Sequence, residues 1–346
     1  MLLEVSLALV TLLSYLYWNW HQKSTYWTKL GVKQPPSNPF LVGNDALPRL
    51  LSAKNANRAM LEQYNQFKGE KYYGTYGSGL SPRPILTVCD PDLLKHVLVR
   101  DFEAFADRAL GGFEEVGTAW TDELWNKQMF NARGRLWRDL RSTFSPVFTS
   151  GKMRLMVQFM NRTGSEMAKV FGRAAEGGED LDAHKWAKSF SLDTISSCAL
   201  GVDAGSIRGE ADEMFLAAVK DIFNMKTHES VLSVLYLIPP VRFALDRLKL
   251  PLVKPRSTRF FHSLLTQTLR HRRETRERRN DLIDLMVAAT KEGEVSGDPT
   301  TSNDAESPKK PKLDEFLIVA TAMVLLVAGY DTSGNTLGLA LWGASQ

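Results

Sequence analysis

Residues 316–333 read FLIVATAMVLLVAGYDTS, in which twelve almost wholly apolar residues lead through Ala-Gly-Tyr to an acid and two alcohols. The apolar pattern then resumes with Leu337, Leu341 and Trp342. A run of about a dozen apolar residues is shorter than the roughly 20 that a membrane-spanning helix needs, and it is more typical of a buried core helix. The stretch therefore predicts a long interior helix, apolar on most faces, with a polar interruption at residues 331–333.

The polar interruption has two possible explanations. A carboxylate in an apolar interior needs a partner, so Asp331 indicates either a hydrogen-bonded internal kink or a groove for a small polar ligand. Gly329 removes a side chain and lets a flat or bulky group approach the backbone. Thr332 can donate a hydrogen bond to the carbonyl four residues back and bend the helix locally. These residues alone leave both explanations open.

The N-terminus carries a second apolar run, in which Glu4 is the one charged residue between Leu2 and Trp18. As a helix this run spans about 26 Å, close to the hydrocarbon thickness of a bilayer. Aromatic and then basic residues follow, a pattern that places the rest of the chain on the cytoplasmic side. They are Tyr15, Tyr17, Trp18, Trp20, His21, Lys23, Lys29 and Lys33. Residues 1–20 are therefore predicted to be a transmembrane signal anchor.

A cleavable signal peptide and a buried core helix are the alternatives to an anchor. The sequence has neither the positive segment before the apolar run nor the small-residue cleavage site that a signal peptide needs. Residues 21–45 are predicted to be a hinge, because Pro35, Pro36 and Pro39 fix φ and stiffen the chain there.

Residues 46–346 are predicted to form a mainly α domain with a small β-sheet. Lys71–Tyr76 and Pro84–Val88 are short β-rich runs that read as a hairpin. Asp90 is suited to cap the next helix and Pro91 to occupy its first position. Helical spacing covers residues 47–68, 152–175, 183–200, 210–227, 256–290 and 313–343.

Composition excludes several classes of protein. With 346 residues, 44% hydrophobic and 24% charged, the chain is globular rather than disordered. The net charge of +4 and the absence of a basic stripe interleaved with exposed aromatics argue against nucleic-acid binding. Cys89 and Cys198 are too few for a disulfide framework. The charged run Arg270–Arg279 is interpreted as a solvated helix face.

Four segments resemble one family. Ala328–Ser333 is similar to the oxygen-binding helix of the cytochrome P-450 family, and Trp137-Arg-Asp-Leu-Arg141 resembles that family's Trp-x-x-x-Arg helix. Ser142–Lys152 and Asp101–Arg108 are similar to segments of the microsomal, xenobiotic-metabolising members. The resemblance covers essentially the whole chain in family order. It implies a cytochrome P-450 fold with an N-terminal transmembrane helix.

The resemblance also implies roles for individual residues. Asp331 and Thr332 would be catalytic and relay protons to bound dioxygen, while Ala328 and Gly329 would leave room over the haem. Trp137 and Arg141, which the four-residue spacing places on one helix face, would both donate to a haem propionate. Arg108 would be a further propionate contact. Arg133, Arg135 and Arg138 would face an acidic reductase surface.

The implied activity is a haem b monooxygenase that inserts one oxygen atom from O₂ into lipophilic small molecules of the xenobiotic, steroid or fatty-acid type. NADPH electrons would arrive through NADPH–cytochrome P-450 reductase. The expected location is the endoplasmic reticulum membrane, with a single N-terminal anchor and the catalytic part facing the cytosol.

The chain departs from the family at the iron ligand. The family's axial cysteine lies in a Phe-x-x-Gly-x-Arg-x-Cys loop, and neither Cys89 nor Cys198 has that context. Both are interpreted as core thiols, so no metal ligand is predicted. Residues 46–346 would then be a C-terminally incomplete cytochrome P-450 domain, inactive as it stands. A non-catalytic, membrane-anchored fragment or pseudoenzyme that acts only in protein interaction is one alternative. A two-span membrane protein that uses residues 316–343 as its second span is another.

Overall fold

The computed structural model describes residues 10–11, 13–15, 17–18, 21–22, 24–35, 56–76, 84–108, 117–223, 239–295 and 314–345. The chain divides into two compact units. Unit 1 comprises Met1–Glu115 and Thr227–Leu248, and unit 2 comprises Val116–Lys226 and Lys249–Gln346. The described part is mainly helical with one two-stranded sheet, as the sequence predicts.

The helices and strands follow in chain order. Unit 1 contains α1 (Tyr26–Lys29), α2 (Ala56–Gln66), β1 (Tyr72–Tyr76), β2 (Pro84–Val88) and α3 (Pro91–Lys95). Unit 2 then contains α4 (Trp120–Lys127), α5 (Gly134–Phe144), α6 (Ser150–Gly177), α7 (Ala183–Ile195) and α8 (Glu213–Phe223). After α9 (Pro239–Arg247) in unit 1, unit 2 ends with α10 (Pro255–Thr275), α11 (Leu282–Val295) and α12 (Glu315–Ala344).

The predicted hairpin of unit 1 is confirmed. β1 and β2 pair antiparallel, with Tyr72 opposite Val88 and Tyr76 opposite Pro84. The Trp27 indole covers β1 and donates to the Thr75 carbonyl at 2.8 Å. The next helix begins as predicted, since the Asp90 carboxylate accepts from the first free backbone N–H groups of α3.

The N-terminal anchor falls largely outside the described residues, as do positions 36–45 of the hinge. The described positions between 10 and 24 are helical, and the side chains of Val10, Leu13 and Trp18 are exposed. Within the described ranges, α12 is the one helix that is long and apolar enough to cross a bilayer by length and composition.

The core of unit 2 forms around the first half of α12. Residues 318–323 and Leu326 are buried there, in a cluster that also contains Leu140 of α5, Leu265 of α10 and Ile283 of α11. Each fully buried aliphatic side chain stabilises the fold by roughly 1.5–3 kcal/mol. The second half differs from the prediction of an interior helix, because most of its side chains are partly or fully exposed from Ala328 onward.

The predicted helix over residues 256–290 is interrupted, and the charged run is not wholly solvated. Backbone φ is positive at Arg276 and Asn280, which separates α10 from α11. Arg272 is buried and bridges the Asp281 carboxylate at 2.7 Å and the Asp284 carboxylate at 2.8 Å. The interpretation of Arg270–Arg279 as a solvated helix face is therefore wrong for Arg272. Its side chain links α10 to the start of α11, whereas the sequence pattern predicts one continuous helix over this region.

Candidate active site

The candidate site lies where α7 packs against α12. Three glycines of α12 face α7 at short range. A Cβ added at Gly329 would lie 2.6 Å from the Ile195 side chain, and one at Gly334 would lie 3.2 Å from the Lys188 Cα. At Gly338 it would lie 3.2 Å from the His184 Cα. Glycine at these positions therefore permits close contact between the two helices.

Asp331 lies on the side of α12 that faces α7. Its Oδ1 accepts from the Lys188 ammonium at 2.9 Å, and its Oδ2 accepts from the Asn335 amide at 3.1 Å. The His184 Nε2 lies 2.8 Å from the Asn335 Oδ1. The Asp331 carboxylate, which was predicted to need a partner, thus has two: the Lys188 ammonium from α7 and the Asn335 amide from α12.

Thr332 lies on the exposed face of α12. Its hydroxyl donates to the Ala328 carbonyl at 2.5 Å, as the sequence predicts for a threonine inside a helix. Ser191 of α7 donates to the Gly329 carbonyl at 2.8 Å, and Thr336 donates to the Thr332 carbonyl at 2.8 Å. The helix remains continuous from Glu315 to Ala344 through this hydroxyl-rich segment.

Of the predicted α12 residues, Ala328 and Thr332 share the exposed face, one turn apart. Gly329 instead faces Ile195, and this packing is itself a reason for glycine there. The predicted haem clearance at Ala328 and Gly329 stays a prediction.

Sequence reasoning missed Lys188, Asn335 and Tyr330. The Tyr330 ring packs against Phe223, with 5.1 Å between centroids, and the Lys188 ammonium lies 5.7 Å from the Tyr330 ring centroid. Burial raises the pKa of the Tyr330 phenol, so it stays neutral near pH 7. Asn335 was detectable, because it lies four residues after Asp331 on the same helix face. Lys188 gave no such signal, since it is 143 residues away in the chain.

Trp137 and Arg141 lie on α5 of the same unit. Trp137 is half-buried against the core cluster, whereas the Arg141 side chain is exposed. Among the described residues, none hydrogen bonds to or pairs with the Arg141 guanidinium. Arg108 is exposed and belongs to unit 1. The propionate contacts predicted for these three residues stay predictions.

The two cysteines occupy different environments. Cys198 is buried in the core cluster, as predicted, and burial raises the pKa of its thiol to about 11, with a further contribution from Asp281. Cys198 is therefore a thiol, not a thiolate, at neutral pH. The same prediction of a core thiol is wrong for Cys89, which is half-buried directly after β2 and outside the core cluster. Within the described residues, no group of three His, Cys, Asp or Glu side chains could hold a metal ion.

Comparison with known proteins gives a consistent match. The family model described as "Cytochrome P450" matches residues 42–342. The chain is 31% identical over 338 residues to "Cytochrome P450 6B7" of Helicoverpa armigera, covering 98% of this chain and 62% of that relative. It is 28% identical over 347 residues to "Cytochrome P450 9e2" of Blattella germanica, covering 96% and 62%.

A third relative, "Cytochrome P450 6a2" of Drosophila melanogaster, is 27% identical over 354 residues. That alignment covers all of this chain and 64% of the relative. The chain thus spans about three fifths of the length of the curated relatives it matches.

The glycine contacts predict a stability difference between two positions of α12. Gly334→Ala should lower the free energy of unfolding by about 1–3 kcal/mol, because the new methyl group meets the backbone of α7. Gly343→Ala is the matched control, since no atom lies within 4 Å of its added Cβ. That variant should keep its stability or gain up to about 1 kcal/mol from helix propensity. Urea unfolding measures both, and equal effects would contradict the packing.

Proposed function

This chain belongs to the cytochrome P-450 family, and on that premise we propose that it forms part of a haem monooxygenase acting on lipophilic small molecules. The family uses haem iron, and its members generally receive NADPH electrons through a cytochrome P-450 reductase. The observation that carries the proposal is the arrangement of Asp331 and Thr332. The two residues are adjacent on α12: Asp331 is hydrogen-bonded by Lys188 of α7, and Thr332 lies on the exposed face.

The described residues of unit 2 include groups of the kinds that the edge and one face of a haem require. The Arg141 guanidinium is exposed on α5, one helical turn from Trp137, and is a donor of the kind that a propionate needs. Ala328 and Thr332 present a small side chain and a hydroxyl on the exposed face of α12. When bound, the haem supplies the oxygen chemistry of the family.

The proton chemistry would fall to Thr332 and Asp331. A hydroxyl has one proton to donate and two lone pairs to accept with, so Thr332 can pass a proton between neighbours while it stays anchored near the Ala328 carbonyl. The Lys188 ammonium donates to the Asp331 Oδ1 at 2.9 Å, which holds the carboxylate in place on the side of α12 that faces α7. The proposed path therefore runs between an exposed alcohol and a paired acid.

We propose that neither Cys89 nor Cys198 is the iron ligand. The raised pKa of Cys198 opposes the thiolate form that an iron ligand needs, and Cys89 directly follows β2 and lacks the sequence context of the family's ligand loop. We propose that these 346 residues supply one face and the edge of a haem site and, by themselves, no monooxygenase activity.

We propose that residues 1–20 attach the protein to the endoplasmic reticulum membrane and that the rest of the chain faces the cytosol. The exposed apolar side chains of Val10, Leu13 and Trp18 support it, since a bilayer would cover them. Arg135 and Arg138 are exposed on α5 and support docking of an acidic reductase surface there.

The ligand assignment is tested by the absorption spectrum of the 346-residue chain with added haem, reduced under carbon monoxide. The expected spectrum lacks the thiolate-type band, because neither cysteine is suited to bind iron. A thiolate-type band that disappears in Cys89→Ala or Cys198→Ala would contradict the assignment.

The proton path is tested by Thr332→Ala in a longer protein that contains these residues and binds haem through a thiolate. Product formed per NADPH should fall about tenfold or more, and peroxide should rise, since a positioned proton donor contributes about that much or more. Thr336→Ala removes the same kind of hydroxyl-to-carbonyl bond one turn later, and it should leave the ratio unchanged. An unchanged ratio in Thr332→Ala would refute the proton role.

A further inference from the structure

Both oxygens of the Asp331 carboxylate are engaged by side chains. The Lys188 ammonium donates to Oδ1 at 2.9 Å from α7, and the Asn335 amide donates to Oδ2 at 3.1 Å from the next turn of α12. Turning the carboxylate would break both bonds, one of which is charge-assisted. The acid therefore has a defined orientation although it is about one-third exposed.

Asn335 is itself oriented by α7. Its Oδ1 lies 2.8 Å from the His184 Nε2, so the imidazole N–H donates to the amide oxygen and the amide nitrogen is directed at Asp331. His184 lies in the first turn of α7 and Lys188 one turn later. Two successive turns of one helix thus hold both ends of the Asp331–Asn335 pair.

The course of the Lys188 side chain depends on Gly334. A Cβ at that position would lie 3.0 Å from the Lys188 Cγ, so the lysine stem crosses α12 where α12 has no side chain. The ammonium then lies between the Asp331 carboxylate and the Tyr330 ring, 5.7 Å from the ring centroid.

We propose that Lys188, Asn335 and His184 are positioning residues for Asp331. They form a polar clamp across α7 and α12 that holds the acid in one orientation, next to Thr332 in the chain. This role rests on the proposed function, in which Asp331 and Thr332 move protons. Lys188 contributes a charge-assisted hydrogen bond to the Asp331 Oδ1, and the His184–Asn335 pair directs the amide hydrogen bond to the Asp331 Oδ2.

The clamp is tested first without any cofactor, by a double-mutant cycle on urea unfolding of the 346-residue chain. Lys188→Met and Asp331→Asn should couple by about three- to tenfold in the unfolding equilibrium constant, as expected for residues in direct contact. Lys185→Met removes the same charge from an exposed position of α7, and its effect should add to that of Asp331→Asn. Additive effects for Lys188 would overturn the clamp.

The positioning role is tested in the haem-loaded longer protein. Lys188→Met should lower product per NADPH about tenfold, because small displacements of a reacting group have effects of at least this size, while the substrate KM stays unchanged. Lys188→Arg should recover most of the loss by restoring the charge, and Lys185→Met should cause none. Asn335→Ala and His184→Ala should each cause a smaller loss of the same kind.

The outcomes separate this inference from the proposed function. If Thr332→Ala lowers product per NADPH and Lys188→Met does not, the positioning role is wrong and the monooxygenase proposal stands. If neither variant changes the ratio although the unfolding cycle shows coupling, the clamp exists and the proton role of the site is wrong.

Discussion

The close approach of α7 and α12 is the constraint on which the candidate site depends. Gly334 and Gly338 leave out the side chains that would separate the two backbones, and the Cα atoms of α7 occupy the space. At this separation Lys188 reaches Asp331. A wider separation would leave a carboxylate without its cation in a largely apolar helix, which is costly wherever the group is partly buried.

The same packing divides α12 into parts with different roles. Its first half is buried among α5, α10 and α11, which fixes the helix in the core. Its second half is held from one side by α7, so that Asp331 is paired while Ala328 and Thr332 remain on the exposed face. The single helix α12 thus carries a segment buried in the core, a paired acid and an exposed alcohol within a few turns.

Features that depend on near neighbours in the chain were predictable. The Asp90 cap, the hairpin and the Thr332 bond to Ala328 each follow from residues no more than a few positions apart or from strand alternation. Lys188 was not predictable, because its contact with Asp331 spans 143 positions and depends on how two helices pack. The burial of Arg272 does not follow from the sequence for a related reason, since its partners Asp281 and Asp284 lie beyond a break between two helices.

Resemblance supplied what local patterns could not. It assigned Trp137 and Arg141 to a cofactor edge, and the structure places them on one helix with the Arg141 guanidinium exposed. It did not explain Gly334 or Gly338, whose importance appears only when α7 is in place. The family match is the basis of the proposed chemistry, whereas the helix packing is the basis of the proposed positioning residues.

The most direct test of this account is a disulfide between Ala187→Cys and Gly338→Cys. The Ala187 Cβ lies 3.6 Å from the Cβ position at Gly338, within the range of about 3.5–4.5 Å that a disulfide requires. Mild oxidation of the folded double variant should link the two introduced cysteines in most molecules, as measured by mass spectrometry of the linked peptides. Ala187→Cys with Gly343→Cys should remain unlinked. Equal linking of both pairs would contradict the packing of α7 on α12, as would failure of the first pair to link in a variant whose free energy of unfolding shows that it accommodates the new side chain at position 338.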